Sequence, residues 1–132
     1  MSGDSLPGWR GYRSQEIPAD WTVSEGTLLL SVGTRGIVTR DQSGDFEPGG
    51  EWKAATGGNA GVFCRGTEEY NCICWSGTAY QLLDDPDAAD GRSRLAAAGQ
   101  VYGLYPAPGG VVKPAREWNV SRIVARGAHV EH

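Results

Sequence analysis

Nowhere in these 132 residues do lysine and arginine gather; twelve of them are scattered among sixteen acids, for a net charge of −4. A nucleic-acid footprint needs a basic face, so no nucleic-acid partner is expected. No apolar run approaches the length of a membrane span, and the longest, Thr27–Val32, is strand-sized. The first twelve residues, MSGDSLPGWRGY, hold neither the basic nor the apolar region of a signal peptide, so none is expected in the chain as written. Leucine, alanine and glutamate never assemble into a long helical repeat. Histidine is scarce, with His129 and His132 as its only instances. The three cysteines, Cys64, Cys72 and Cys74, make an odd count, which excludes a full disulfide framework. Cys72 and Cys74 flank one residue, too close for an easy mutual bridge, whereas Cys64 could pair with either. Their spacing matches no common zinc motif, even with the two histidines added, so no metal site is expected. A cysteine nucleophile is disfavoured because the histidines lie at the far end of the chain.

What is abundant is glycine, with twenty residues, and seven prolines join it in breaking the chain into short pieces. Short segments punctuated by turn residues predict an all-β sandwich or barrel, in one domain spanning residues 1–132. Thr27–Val32 and Gly36–Arg40 read as a hairpin-like pair about a turn at Gly33–Gly36. Asp45–Lys53 reads as a broken or edge strand, because Pro48-Gly49-Gly50 interrupts it. Around Ser93–Ala98 the sequence permits a short helix or helical turn. Gly99–Tyr105 alternates, and so does Glu117–Val130, where Asn119, Ser121, Ile123 and Ala125 share one face and Val120, Arg122 and Val124 the other.

The informative stretch is Gly57–Asp85. A strand is expected at Gly61–Arg65 and another at Ala79–Asp84, joined by a polar loop carrying Cys72, Cys74 and Trp75. Strict alternation puts Phe63 and Arg65 on one face of the first, opposite Val62 and Cys64. It puts Ala79 and Gln81 together on the second, opposite Tyr80, Leu82 and Asp84. With Val62, Cys64 and Leu82 toward a core, Arg65 and Gln81 would face a cleft. Arg65 could clamp a ligand there or pair with Glu68 or Glu69. Asp84 and Asp85 could orient a substrate or bind a divalent cation, or simply begin a solvated loop before Pro86. Trp75 and Tyr105 suit a sugar platform, although the core is the commoner place for an aromatic side chain. Asn59 reads as a left-handed turn residue or as a ligand contact.

Particular segments carry a family resemblance. Gly8-Trp9-Arg10-Gly11-Tyr12, Gly44-Asp45-Phe46-Glu47, Glu51-Trp52-Lys53 and Gly57-Gly58-Asn59-Ala60-Gly61-Val62-Phe63 occur in order. Arg65-Gly66-Thr67-Glu68-Glu69-Tyr70, Trp75-Ser76-Gly77 and Tyr80-Gln81-Leu82-Leu83-Asp84-Asp85 follow. Tyr102-Gly103-Leu104-Tyr105, Val112-Lys113-Pro114, Glu117-Trp118-Asn119 and Arg122-Ile123-Val124 complete the series. Together they resemble the 3-keto-disaccharide hydrolase domain family, along essentially the whole chain. The resemblance implies a concanavalin-like, laminin-G-like jelly roll, an antiparallel β-sandwich shortened here at both ends. It also implies a usually exported protein acting on glycosides whose sugar carries a 3-keto group; no cofactor is predicted beyond a divalent cation that Asp84 and Asp85 could bind.

In such a sugar the ketone acidifies C2–H; a base removes that proton and the C1 glycosidic oxygen leaves by β-elimination, with water added afterwards. On this reading Arg65, Gln81 and Asp84 are the catalytic candidates, with Asn59, Phe63, Trp75 and Tyr105 binding the saccharide or modified glycoside. The sequence departs from its relatives at Ala79, where they place a glutamate, and around Cys72 and Cys74, where they often place histidine or aromatic residues. Ala79 favours the alternatives of a non-catalytic carbohydrate-binding module or an inactive shortened copy.

Overall fold

A computed structural model describes residues 6–31 and 35–132. The chain divides into two compact units, Met1–Ser43 and Gly44–His132. Its strands pair antiparallel throughout, and the only helices among the described residues are two 3-10 turns. The all-β antiparallel fold is thus the one the turn-rich sequence implies.

In the first unit, β1 (Trp9–Gly11) pairs with β4 (Ile37–Thr39), and β2 (Trp21–Ser24) pairs with β3 (Thr27–Leu30). The hairpin expected between Thr27–Val32 and Gly36–Arg40 is therefore not formed; both segments have other partners. Its turn falls partly at residues 32–34, outside the described residues. Glu25 and Gly26 both take left-handed φ, 52° and 74°. That is the two-residue hairpin geometry that matches strand twist, and it commits β3 to β2.

The second unit stacks two layers. In one, β6 (Asn59–Cys64) and β7 (Thr78–Leu83) run antiparallel with Asn59 opposite Leu83 and Cys64 opposite Thr78. Val101 bridges to the other edge of β7 at Tyr80. The alternation expected at Gly99–Tyr105 ends there, because Tyr102–Leu104 turn the chain back and Gly103 takes φ 74°. In the other layer, β5 (Gly49–Trp52) pairs with β8 (Asn119–Arg122), and β9 (Val124–Arg126) pairs with β10 (His129–Glu131).

The break expected at Pro48 is real but narrow. Phe46 exchanges both backbone hydrogen bonds with Ala125, and the Pro48 carbonyl accepts the Ile123 N–H. Only the bond that proline cannot donate is missing, and the register from Phe46–Ala125 to Trp52–Asn119 is unbroken. Between the layers lie Cys64 and Tyr80 from one and Ile123 from the other, flanked by Phe46, Leu82 and Val130. The Tyr80 hydroxyl and the Trp52 indole N–H both meet Ser121 Oγ, which satisfies the polar atoms at this seam. Asn119, Ile123 and Ala125, placed on one face by the alternation, are all buried, but so is Val124 from the opposite face.

Outside this ladder, Glu47 accepts from Arg122 and from Arg126. The Arg122 hydrogen bond is the main reason its carboxyl lies below the ordinary value of 4.5. A depressed carboxylate pKa stabilises the fold above 4.5, and that contribution is lost as pH falls through the folded-state value. Glu47→Gln should therefore melt slightly below the parent at neutral pH, with the gap closing in acid and in high salt. A gap that persists unchanged at the lowest pH at which both proteins fold would contradict this.

Candidate functional site

The faces of β6 and β7 separate two jobs. Cys64, Tyr80 and Leu82 turn toward the other layer; Val62 shares that direction but stays 39% exposed. The cross-strand pairs Asn59–Leu83, Gly61–Gln81 and Phe63–Ala79 occupy the opposite face. Its Leu83 end is closed by Ala88 and Ala98, with Trp52 and Val112 packed against them. Beyond that end lies Gln81, buried to 5% exposure, with the side-chain-free Gly61 directly across from it.

A buried amide needs partners, and Gln81 finds them in sequence. Its Nε2 donates to Asn59 Oδ1 at 2.8 Å. Asn59 Nδ2 in turn donates to Asp90 Oδ2 at 3.4 Å, and the Tyr102 hydroxyl donates to the same oxygen at 3.3 Å. The negative charge of Asp90 is the main influence raising the Tyr102 phenol above its ordinary value, so the phenol stays a donor. Gln100, whose backbone carbonyl accepts the Gln81 N–H, is itself buried, and its Oε1 has no partner among the described residues.

The network combines distant segments. Asn59 opens β6 as a strand residue, not as the left-handed turn residue that its type suggested; the left-handed position is Gly57, at φ 69°. Asp90 is supplied by the 3-10 turn Ala89–Arg92, and Tyr102 by the reversal after Val101. The helical turn expected around Ser93–Ala98 is present only as two hydrogen bonds onto the Ser93 carbonyl. Asp90 does not stand out in the sequence, and Tyr102 does so only within the Tyr102–Tyr105 segment of the family resemblance; each becomes part of the site through long-range folding.

The other expected site residues go elsewhere. Arg65 takes φ 57°, which ends the alternation at Cys64. Its guanidinium donates to the carbonyls of Gly127 and Gly44 and lies 3.8 Å from Asp45, whose Oδ1 accepts the Gly127 N–H. Arg65 thus ties the turn between β9 and β10 to the chain entering Phe46, and is not on the Gln81 face. Its acidic neighbour is Asp45, where sequence spacing suggested Glu68 or Glu69.

Asp84 is buried and accepts the Gly57 N–H at 2.8 Å, while Asp85 accepts the Ala98 N–H at 2.8 Å. These two carboxylates are not the solvated loop start that Pro86 suggested; each holds a turn in place. Among the described residues no group of three or more His, Cys, Asp and Glu side chains is placed to hold a metal ion.

Phe63 lies half-buried on the Gln81 face, as alternation predicts. Trp75 and Tyr105 are 76% and 70% exposed, so neither belongs to the core. They stand on separate loops, and the hydrogen-bonded network described above reaches neither. The loop bearing Trp75 is closed by a Cys72–Cys74 disulfide, the pairing judged difficult from spacing, while Cys64 remains a free thiol. The intervening Ile73 lies in a 3-10 turn that folds its side chain back over Gly66 and brings the two sulfurs together. Burial pushes the Cys64 thiol up from its ordinary pKa, which leaves it a packing residue.

Comparisons with known proteins identify the family and the fold. The whole chain, residues 1–132, matches the family described as the 3-keto-alpha-glucoside-1,2-lyase-like domain, and it belongs to that family. A curated relative from Bacteroides thetaiotaomicron, named 3-keto-disaccharide hydrolase, is 30% identical over 154 aligned positions covering all of this chain and 53% of the relative. Two crystal structures of candidate glycosyl hydrolases from Parabacteroides distasonis share the fold. One has a TM-score of 0.85 and 25% identity, covering 95% of this chain and 61% of that one. The other has a TM-score of 0.78 and 27% identity, covering 92% of this chain and 65% of that one. The chain thus spans between about half and two thirds of the length of these relatives. Family, relative and fold together make it a carbohydrate hydrolase-like domain. Among the described residues no helix is long and apolar enough to cross a membrane.

Proposed function

From membership of this family, we propose that the chain acts on the glycosidic bond of a saccharide oxidised to a ketone at C3. The substrate class is suggested by the relative's name, and the face of β6 and β7 bearing Gln81 is the site. The observation that carries the reading is the Gln81–Asn59–Asp90–Tyr102 network, with Phe63 on the same face. It offers amides, a phenol and a carboxylate beside an aromatic ring, the mixture that binds a sugar's hydroxyls and its apolar C–H face. The exposed Trp75 and Tyr105 supply further aromatic surface for a longer saccharide. Asp84 and Asp85 support the site by fixing its turns.

A periplasmic or extracellular setting fits this reading. The Cys72–Cys74 bridge supports it, because disulfides persist chiefly in oxidising compartments.

One observation favours a second reading, a non-catalytic carbohydrate-binding module. None of Asn59, Gly61, Phe63, Ala79, Gln81 and Leu83, the strand residues of this face, is ionisable. Incubation with an aryl 3-keto-glucoside separates the two. Release of the aglycone supports the enzyme; binding by calorimetry without release supports the module. Neither release nor binding by a folded sample would overturn both.

A further inference from the structure

Resting on the enzyme reading above, we propose that Asp90 is the general base of the site, with Asn59 and Tyr102 as its positioning residues. The strands provide no ionisable side chain on this face, so the proton-accepting group must come from the segments that fold over it. Asp90 is the carboxylate joined to the face by hydrogen bonds. Its Oδ2 accepts from both Asn59 Nδ2 and Tyr102 OH, and Asn59 is fixed in turn by the buried Gln81. Oδ1 takes part in none of the hydrogen bonds among the described residues, which leaves it to receive a proton. One oxygen held and one free is what a base needs, since orientation sets the transfer distance.

Two features distinguish Asp90 from the chain's neighbouring acids. Asp84 and Asp85 spend their carboxylates on the Gly57 and Ala98 amides, as structural anchors. Asp90 makes its anchoring contact to the next turn through its backbone carbonyl, which accepts the Ser93 N–H, so its side chain is not needed for that turn. The bonds to Oδ2, at 3.3 and 3.4 Å, are long, as is common for catalytic groups without substrate.

The chemistry balances without a co-reactant other than water. Asp90 Oδ1 takes the C2 proton, and the C–H electron pair forms C2=C3 while the C3 oxygen becomes an enolate. As the C3 carbonyl re-forms, C1=C2 forms and the C1–O bond breaks, its electron pair leaving on the glycosidic oxygen. That oxygen takes the proton back from the Asp90 carboxyl, giving the free alcohol and an enone sugar and restoring the carboxylate. Water then adds across C1=C2, its oxygen to C1 and its proton to C2.

The test follows the C2 proton by NMR in deuterated buffer, with the aryl 3-keto-glucoside and the full 132-residue chain. The parent should exchange C2–H and release aglycone. D90N should lose both by roughly 10²- to 10⁴-fold, the usual range for a general base, with KM changed only a few-fold. D90E, which keeps the acid, should recover part of the exchange. Tyr102→Phe should lower kcat by a smaller factor and leave KM in place. Parent-like exchange in D90N, or no recovery in D90E, would overturn the role of Asp90 alone. An absence of turnover and exchange in the parent would overturn the enzyme reading, and this inference with it.

Discussion

Replacing Gly91 with alanine should lower the melting temperature by about 10 °C, a loss of about 3 kcal/mol at the upper end for overpacked sites. A Cβ at this position would lie 1.9 Å from the Asp85 carbonyl oxygen and 2.6 Å from its C and Cα atoms. These are backbone atoms, so no rotamer change can relieve the clash. The backbone angle at Gly91 is not left-handed, and the objection to alanine is therefore space alone. To make room, Asp85 must move away from the Ala89–Arg92 turn, pulling its carboxylate off the Ala98 amide. The same shift displaces Asp90, so sugar binding should weaken along with stability. Gly50→Ala is the control, because a Cβ there meets nothing within 4 Å. It should stay within about 0.5 kcal/mol of the parent. If the two variants melt together, the close approach of Gly91 to Asp85 is not a feature of the folded protein.

How much of this could be read in advance depends on the range of each interaction. Alternation gave the two faces of β6 and β7, because the period of a strand is local and Phe63, Cys64, Tyr80 and Gln81 obey it. It failed at Arg65, where one left-handed residue turned the side chain to the Gly127 and Gly44 carbonyls. Pro48 announced its own defect, but the single lost hydrogen bond was too small a penalty to shift the register beyond it. The acids differ for another reason. Asp84, Asp85 and Asp90 look alike in sequence, and only their partners 27, 13 and 31 residues away separate the two that anchor backbone amides from the one bonded to side chains. The resemblance identified the family, but the strand residues of the Gln81 face, Ala79 among them, supply no acid. The Asp90 carboxylate reaches this face from a 3-10 turn that only long-range folding places.

Leu83→Ala should be the other large loss, about 3–4 kcal/mol, within the range for buried leucine truncations. Leu83 is fully buried at the end of β7, and the buried side chains around it are Ala88 and Ala98. Methyl groups on separate turns cannot lean in to fill the space, so most of the cavity would remain. The backbone also resists collapse, since Asp84, the next residue, is bonded to Gly58 through its N–H and to Gly57 through its carboxylate. Trp52 and Val112 complete the cluster, and Trp52 donates to Ser121 at the seam between the layers. Loosening this end should therefore expose the Trp52 indole as well as lower stability. Urea titration followed by tryptophan fluorescence measures both; the midpoint should fall with the slope unchanged. A loss below about 1 kcal/mol would mean that the site does collapse around alanine. In that case the closed end of the Gln81 face would be held chiefly by the Asp84 and Asp85 anchors, and Asp84→Asn would become the more damaging change.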